Sequence, residues 1–181
     1  ELIDALEQAY SQVGLDDTMV ICRSNKRANI YNNGIRNRIL YREEELGGGD
    51  VVMIAKNNYY WAESCKELDF IANGDIAVVR RVRHERELYG FRFADVTLSF
   101  PDYEDLEMEV TLLLDTLQSD NPALSREQGE RLYLSVMEDY ADIPLKRDRM
   151  KKLKEDPYFN ALQVKYAYAI TCHKSQGGQW R

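Results

Sequence analysis

Apolar positions in the first forty residues recur at helical spacing on either side of one short continuous run. Leu2, Ala5, Leu6, Ala9 and Tyr10 fall on one face of a helix. After Gly14 the run "TMVICRSN" reads as a buried strand. From Asn25, read as its cap, a second helix over roughly Lys26 to Arg42 places Ala28, Tyr31, Ile35 and Ile39 on one face, with arginines around them. Helix, buried strand and helix in succession are the grammar of a parallel α/β sheet. From Gly47 the period shortens. The stretches "GGGDVVMIAKNN", "FIANGDIAVVRRVRH", "LYGFRFADVTLSF" and "LEMEVTLLLDTL" are β-branched, aromatic and alternating, with Gly, Asn and Asp turn signals between them, which predicts a small antiparallel sheet or barrel. Helices return at Ser125, where "SREQ" makes a capping box before "GERLYLSVMEDYADI", and the basic segment from Lys146 to Lys154 is expected to face solvent. "NALQVKYAYAIT" then reads as an apolar run of strand length feeding a closing polar turn.

Taken in order, the chain is α/β, then β, then α, then α/β again. This order implies a β-rich module carried between two pieces of one parallel sheet. Residues 1–47 open the α/β unit, 48–118 form the small barrel, 119–158 make a helical connection, and 159–181 return to the α/β unit.

Composition narrows the classes that fit this pattern. With 44% hydrophobic and 30% charged residues among 181, the chain suits one sizeable globular domain or two small ones, and disordered and collagen-like readings are excluded. No apolar stretch approaches the ~20 residues that span a bilayer. The opening "ELIDALEQAYSQVG" lacks the basic start and apolar core of a signal peptide, so a cytoplasmic protein without a membrane partner is expected. Cys22, Cys65 and Cys172 are odd in number, far apart and without metal-ligand spacing, so they are expected as reduced thiols, with neither a disulfide framework nor a zinc site. The net charge of −7 argues against a protein that coats nucleic acid through its total charge. Charge is locally basic between Arg23 and Arg42, in "VVRRVRHER" and in "LKRDRMKKLK", where solvated helix and strand faces are the plain reading.

The chemistry concentrates at the two ends. The closing stretch "AYAITCHKSQGGQW", Ala167 to Trp180, sets Thr and Ser hydroxyls, His173, Lys174 and consecutive glycines after an apolar strand. Such a turn offers hydroxyl, amide and cationic donors with room for close backbone approach, a set that suits phosphate. The plainer alternative is that His173 caps the strand and Gly177 and Gly178 permit the turn. Near the start, a helix beginning just after Asn25 offers free amides and a positive dipole end, to which Ser24 and Asn25 add side-chain hydrogen bonds; plain capping is the alternative there. Asn57, Asn58, Asn73 and Gly74 read as turn formers. Tyr59, Tyr60 and Trp61 either stack on bases or cover the barrel, the latter preferred. Cys172 beside His173 has no partner at a spacing useful for a metal or a nucleophile, and no catalytic or metal-ligating residue is assigned.

"AYAITCHKSQGGQW" resembles motif V of superfamily 1 DNA helicases of the RecD-like and Dda-like branch, whose second motor unit is the UvrD-like C-terminal helicase domain. "VICRSNKRANIYN" is similar to the motif IV region of the same enzymes. "VVMIAKNN" followed by "FIANGDIAVV" resembles the first strands of the SH3-like barrel that sits between those motifs. The resemblance covers Thr18 to Trp180 and finds least support around residues 102–150. It implies an α/β fold: a partial RecA-like second motor domain, of the P-loop NTPase type, with an inserted SH3-like β-barrel. It further implies DNA-backbone contacts at Ser24, Asn25, Thr171, His173, Lys174 and Ser175, and nucleotide-facing positions at Gln176, Gly177 and Gln179. Gln179 departs from the family, where Glu is frequent, which weakens any ribose contact there. The parent implied is an ATP-dependent helicase, using ATP and magnesium, that moves 5′ to 3′ along single-stranded DNA by opening and closing two RecA-like domains, the first of them being this segment's partner. A phosphate loop of the form Gly-x-x-x-x-Gly-Lys-Ser/Thr is missing from the sequence. The segment therefore reads as a fragment cut after motif V and inactive toward ATP by itself. The alternative is a complete, non-enzymatic SH3-like interaction module on an α/β support.

Overall fold

The computed structural model describes residues 1–176. Helix α1 (Leu2–Val13) leads into strand β1 (Val20–Cys22) and helix α2 (Asn25–Gly34). The cap of α2 is Ser24, one residue before the position expected: its extended backbone (φ −142°, ψ 155°) lets Oγ accept a hydrogen bond from the Arg27 amide at 3.2 Å. At Gly34 the end of α2 comes close to α1, since a Cβ there would lie 3.0 Å from Ile3 Cδ1. Regular helix stops at Gly34 rather than running to Arg42. The chain widens into a π turn over Ile35–Ile39, where the Leu40 amide donates to the Ile35 carbonyl at 2.9 Å, and Tyr41 at φ 51° ends the helical path.

Five strands form a closed barrel in the order β2 (Val51–Ile54), β3 (Ile76–Leu88), β4 (Phe91–Phe100), β5 (Leu106–Leu113) and β6 (Leu162–Tyr166). Every pairing is antiparallel except β5 with β6. The sequence pattern explains each device of closure. Tyr89 (φ 58°) and Gly90 (φ 75°) make the two-residue turn whose twist suits a hairpin. Two register shifts in β3, at Val79/Arg81 and Val82/His84, bend the long strand around the barrel. Alternate residues, Val52, Ile54, Ala77, Val79, Val96, Leu98 and Val164 among them, fill the interior, and Trp61 packs against that core.

The barrel reaches beyond residues 48–118. "NALQVKYAYAIT" is two strands, not one run: β6 closes the barrel, and after Ala167 and Tyr168 the chain becomes β7 (Ala169–Thr171), which pairs in parallel with β1, Val20 opposite Ala169 and Cys22 opposite Thr171. Asn32 of α2 fixes the break. Its Nδ2 donates to the carbonyls of Tyr166 (3.3 Å) and Ala169 (3.0 Å), while its Oδ1 accepts from the Ala169 amide at 2.7 Å. The barrel thus lies, in sequence, between the two strands of one parallel pair.

Helices α3 (Arg126–Asp139) and α4 (Lys146–Lys154) pack Leu132, Val136 and Leu153 against Phe91, Phe93 and Leu113 on the barrel's outer surface. The capping box at the start of α3 has both bonds, Gln128 N to Ser125 Oγ at 3.2 Å and Ser125 N to Gln128 Oε1 at 3.0 Å. A polar centre joins the two units. Asp50, wholly buried, accepts from Arg36 Nε and Nη2 at 3.0 Å each, from the Gly47 amide at 2.9 Å and from the Tyr168 hydroxyl at 2.7 Å, and the Arg36 guanidinium lies 4.5 Å from the centre of the Tyr166 ring. Burial works against the charge on Arg36, but the bond and charge of Asp50 hold its pKa above the ordinary value. Arg36 is therefore no solvated face residue; its 4% exposure sets it apart from the arginines around it in sequence.

Candidate nucleic-acid interface

The parallel register of β1 and β7 brings two chain reversals to the same carboxyl edge. One is Arg23 to Asn25, entering α2; the other is α5 (Cys172–Ser175), a single turn that follows β7 directly. Between this edge and the barrel lies a small cleft lined by Asn25, Asn29, Thr171, Lys165 and Lys174, with Met53 and Ile54 of β2 and Ile170 of β7 as apolar wall. Among the described residues its lining carries two ammonium groups, several amide and hydroxyl side chains and no carboxylate. Ammonium, amide and hydroxyl donors suit a phosphate, although the Asp120 carboxylate stands beside them and accepts from Asn29 Nδ2 at 3.2 Å.

The two lysines are held differently. Lys165 projects from β6, and its Nζ donates to the carbonyls of Asn121 at 2.9 Å and Thr116 at 3.4 Å, and to that of Ser119. Burial lowers its pKa to about 8, with Asp120 opposing and Lys174 reinforcing the shift. The same loop is gripped from the other side by Asn29 of α2, which donates to Gln118 O at 2.9 Å, to Ser119 O at 3.2 Å and to Asp120 Oδ1 at 3.2 Å. Lys174 is half-buried, burial lowers its pKa, and its Nζ donates to Asn73 Oδ1 on the turn between β2 and β3.

Of the positions expected to contact a nucleic-acid backbone, Asn25, Thr171 and Lys174 meet in the cleft. Ser24 stands next to it with its hydroxyl engaged as the α2 cap. His173 is exposed on α5 and does not line the cleft, and Ser175 donates its hydroxyl to the Cys172 carbonyl at 2.8 Å. Gln176 is exposed in the turn after α5; Gly177 and Gln179 lie outside the described residues. Asn29 and Lys165 were not singled out by sequence. Asn29 reads as one more polar residue on α2, and Lys165 as an outward position in the alternating "LQVKY"; only the closeness of α2 to β6 makes them neighbours.

The remaining candidates have structural tasks. Asn73 and Gly74 (φ +100°) form the β2–β3 turn, with the Gly74 amide donating to Ile54 O at 2.8 Å. Trp61 Nε1 and Asn58 Nδ2 both donate to the Asn160 carbonyl at 2.9 Å, and the Tyr60 hydroxyl donates to Glu155 O at 3.1 Å, so these side chains pin the 58–61 segment over the barrel. Tyr59 differs: it stays exposed and stacks on Phe70 with ring centres 5.1 Å apart. Two of the four arginines of β3 are met by carboxylates across the sheet, Arg83 by Glu109 at 3.1 Å and Arg86 by Asp95 at 2.5 Å, and Arg80 donates to Ser99 Oγ at 3.4 Å. Cys22 is buried, its thiol pKa raised by that burial and by nearby Cys172, and all three cysteines are free. Among the described residues no group of three or more His, Cys, Asp or Glu is placed to hold a metal ion, and no helix is long and apolar enough to cross a membrane. No protein-family model matches the chain, and no curated protein matches it at a significant level.

Proposed function

We propose that this chain is the backbone-gripping part of an ATP-dependent DNA helicase that translocates on single-stranded DNA in the cytoplasm, with β1, α2 and β7 belonging to a second RecA-like unit and the barrel to an SH3-like insertion. The supporting observation is the cleft itself: Asn25 and Lys174, almost the whole chain apart in sequence, share one lining of amide, hydroxyl and ammonium groups at the carboxyl edge of a parallel strand pair. Ligands of open α/β sheets bind at that edge. ATP with magnesium would supply the driving free energy in the intact motor, held chiefly by a phosphate loop that this sequence does not contain. This chain's share would be a wall residue such as Gln176 and the DNA contacts, and the missing first motor domain would be its partner.

The test is fluorescence anisotropy of a labelled oligothymidine titrated with the chain. Binding is expected to be weak and to fall steeply with salt. A His173→Ala, Lys174→Ala double variant should bind at least several-fold more weakly; affinity unchanged by it would sink the assignment. The exposed Tyr59–Phe70 stack favours a second reading, a non-enzymatic protein-interaction module. A protein partner captured by the wild type and lost on Tyr59→Ala, without any oligonucleotide binding, would favour it.

A further inference from the structure

We propose that Asn73 is the positioning residue for Lys174 in the phosphate contact, so that the barrel itself takes part in gripping the DNA backbone; the proposal rests on the reading of the cleft as a DNA-backbone site. Four features of the contact carry it. The Lys174 Nζ to Asn73 Oδ1 bond crosses from α5 to the β2–β3 turn, bridging the two units at the cleft. Asn73 is in turn fixed, because its amide donates to Asn57 Oδ1 at 2.7 Å and the next residue holds the turn through Gly74 N to Ile54 O at 2.8 Å. The nearby carboxylate is directed elsewhere: Asp75 Oδ2 accepts from the Ala72 amide and the Tyr103 hydroxyl, both at 3.1 Å. Lastly, an amide oxygen is a neutral acceptor. It orients an ammonium and leaves its charge, and two of its three hydrogens, for an anion.

A lysine chain left free loses more rotamer freedom on gripping a phosphate than one already held, so the tether should tighten binding by pre-ordering. Asn73→Ala is expected to weaken oligothymidine binding by about three- to tenfold, as the cost of ordering one rotamer-rich side chain implies. Asn73→Asp should weaken it further and reduce the slope of log affinity against log salt by about one, because the carboxylate neutralises the cation that meets the phosphate. In a Lys174→Ala background, Asn73→Ala should have no further effect. A purely structural Asn73 predicts otherwise: a lowered melting temperature, and the same loss of affinity with or without Lys174. Additivity of the two substitutions, or Asn73→Asp binding as tightly as the wild type, overturns the proposal while leaving the DNA reading intact. A wild-type chain that binds no oligonucleotide overturns the DNA reading and the proposal together. A ligand-free readout checks the tether directly: Lys174 should be acetylated several-fold faster in Asn73→Ala, followed by mass spectrometry, and an unchanged rate counts against it.

Discussion

Replacing Asp50 by alanine should be among the most damaging single changes in the molecule. Asp50 is wholly buried and accepts four hydrogen bonds at 2.7–3.0 Å: two from Arg36, one from the Gly47 amide and one from the Tyr168 hydroxyl. Its removal strands a guanidinium that is only 4% exposed, leaving it the Glu44 carbonyl and the face of Tyr166. Breaking a buried pair on one side costs about 3–5 kcal/mol. The orphaned amide and hydroxyl add to this less than their separate costs, since the centre relaxes as a unit. A loss of about 4 kcal/mol is a large share of the 5–15 kcal/mol that roughly bounds a domain's stability. At about 2–4 °C per kcal/mol for a chain of this size, melting should fall by about 8–16 °C. Urea and thermal unfolding followed by far-ultraviolet circular dichroism would measure it. The control is the combined Arg36→Met, Asp50→Ala, Tyr168→Phe variant, which removes charge and hydroxyl together and should recover part of the loss. A deficit below about 1 kcal/mol for Asp50→Ala alone, or no recovery in the combined variant, would refute the account of this centre as a mutually dependent set.

Lys165 should give a pH signature. Its folded pKa near 8 lies below the ordinary lysine value of 10.5, so the unfolded chain binds more protons between those limits; its contribution grows as pH rises from about 8 to 10.5 and is lost as pH falls through 8. The gain should be no more than about 1–2 kcal/mol, reduced because part of the side chain is solvated, and absent from the slope of a Lys165→Met variant in urea melts at stepped pH. Above pH 10 the effect is opposed by Tyr166, whose pKa burial raises to about 12, so that its folded form holds a proton the unfolded chain has lost. Phe93→Ala should cost about 3–5 kcal/mol by opening a cavity under α3 and α4, with amide exchange in both helices accelerated; intact protection there would contradict the packing. Ser24→Ala should cost about 1 kcal/mol through the lost cap, whereas Ser24→Asp keeps the cap and so keeps stability but weakens oligonucleotide binding through its charge. Equal effects of the two on affinity would mean that Ser24 only caps.

What could be read from the sequence was whatever depends on near neighbours. The alternating runs from Gly47 to Leu117 announced the barrel strands because period-2 alternation on a half-buried surface is local, and "SREQ" announced the α3 cap because both its bonds span three residues. Ser24 and Asn25 are both good caps, and which one takes the role depended on a backbone angle. The split of "NALQVKYAYAIT" was invisible, since no Gly, Pro, Asn or Asp marks a turn between Tyr166 and Ala169 and the break is imposed by Asn32, more than a hundred positions earlier. Arg36 looked like its solvated neighbours because nothing nearby in sequence distinguishes it; its partner Asp50 arrives fourteen residues later, at the start of another unit. In the site, the donors at each chain end were legible by residue type, while Lys165, Asn29 and the tether at Asn73 came from the packing of barrel against α2 and α5.

The split between β6 and β7 has a consequence for how the molecule comes into being. On a ribosome the strands β2 to β5 emerge before β6, and they cannot close on themselves, because the strand that joins β2 to β5 is β6 and it follows two whole helices. β1 waits longer still for β7. Until β6 and β7 are synthesised, the nascent chain carries open strand edges, the feature most prone to wrong pairing between chains. Because its decisive contacts join residues near 20 to residues near 170, folding should be slow and should complete only after β7 leaves the exit tunnel.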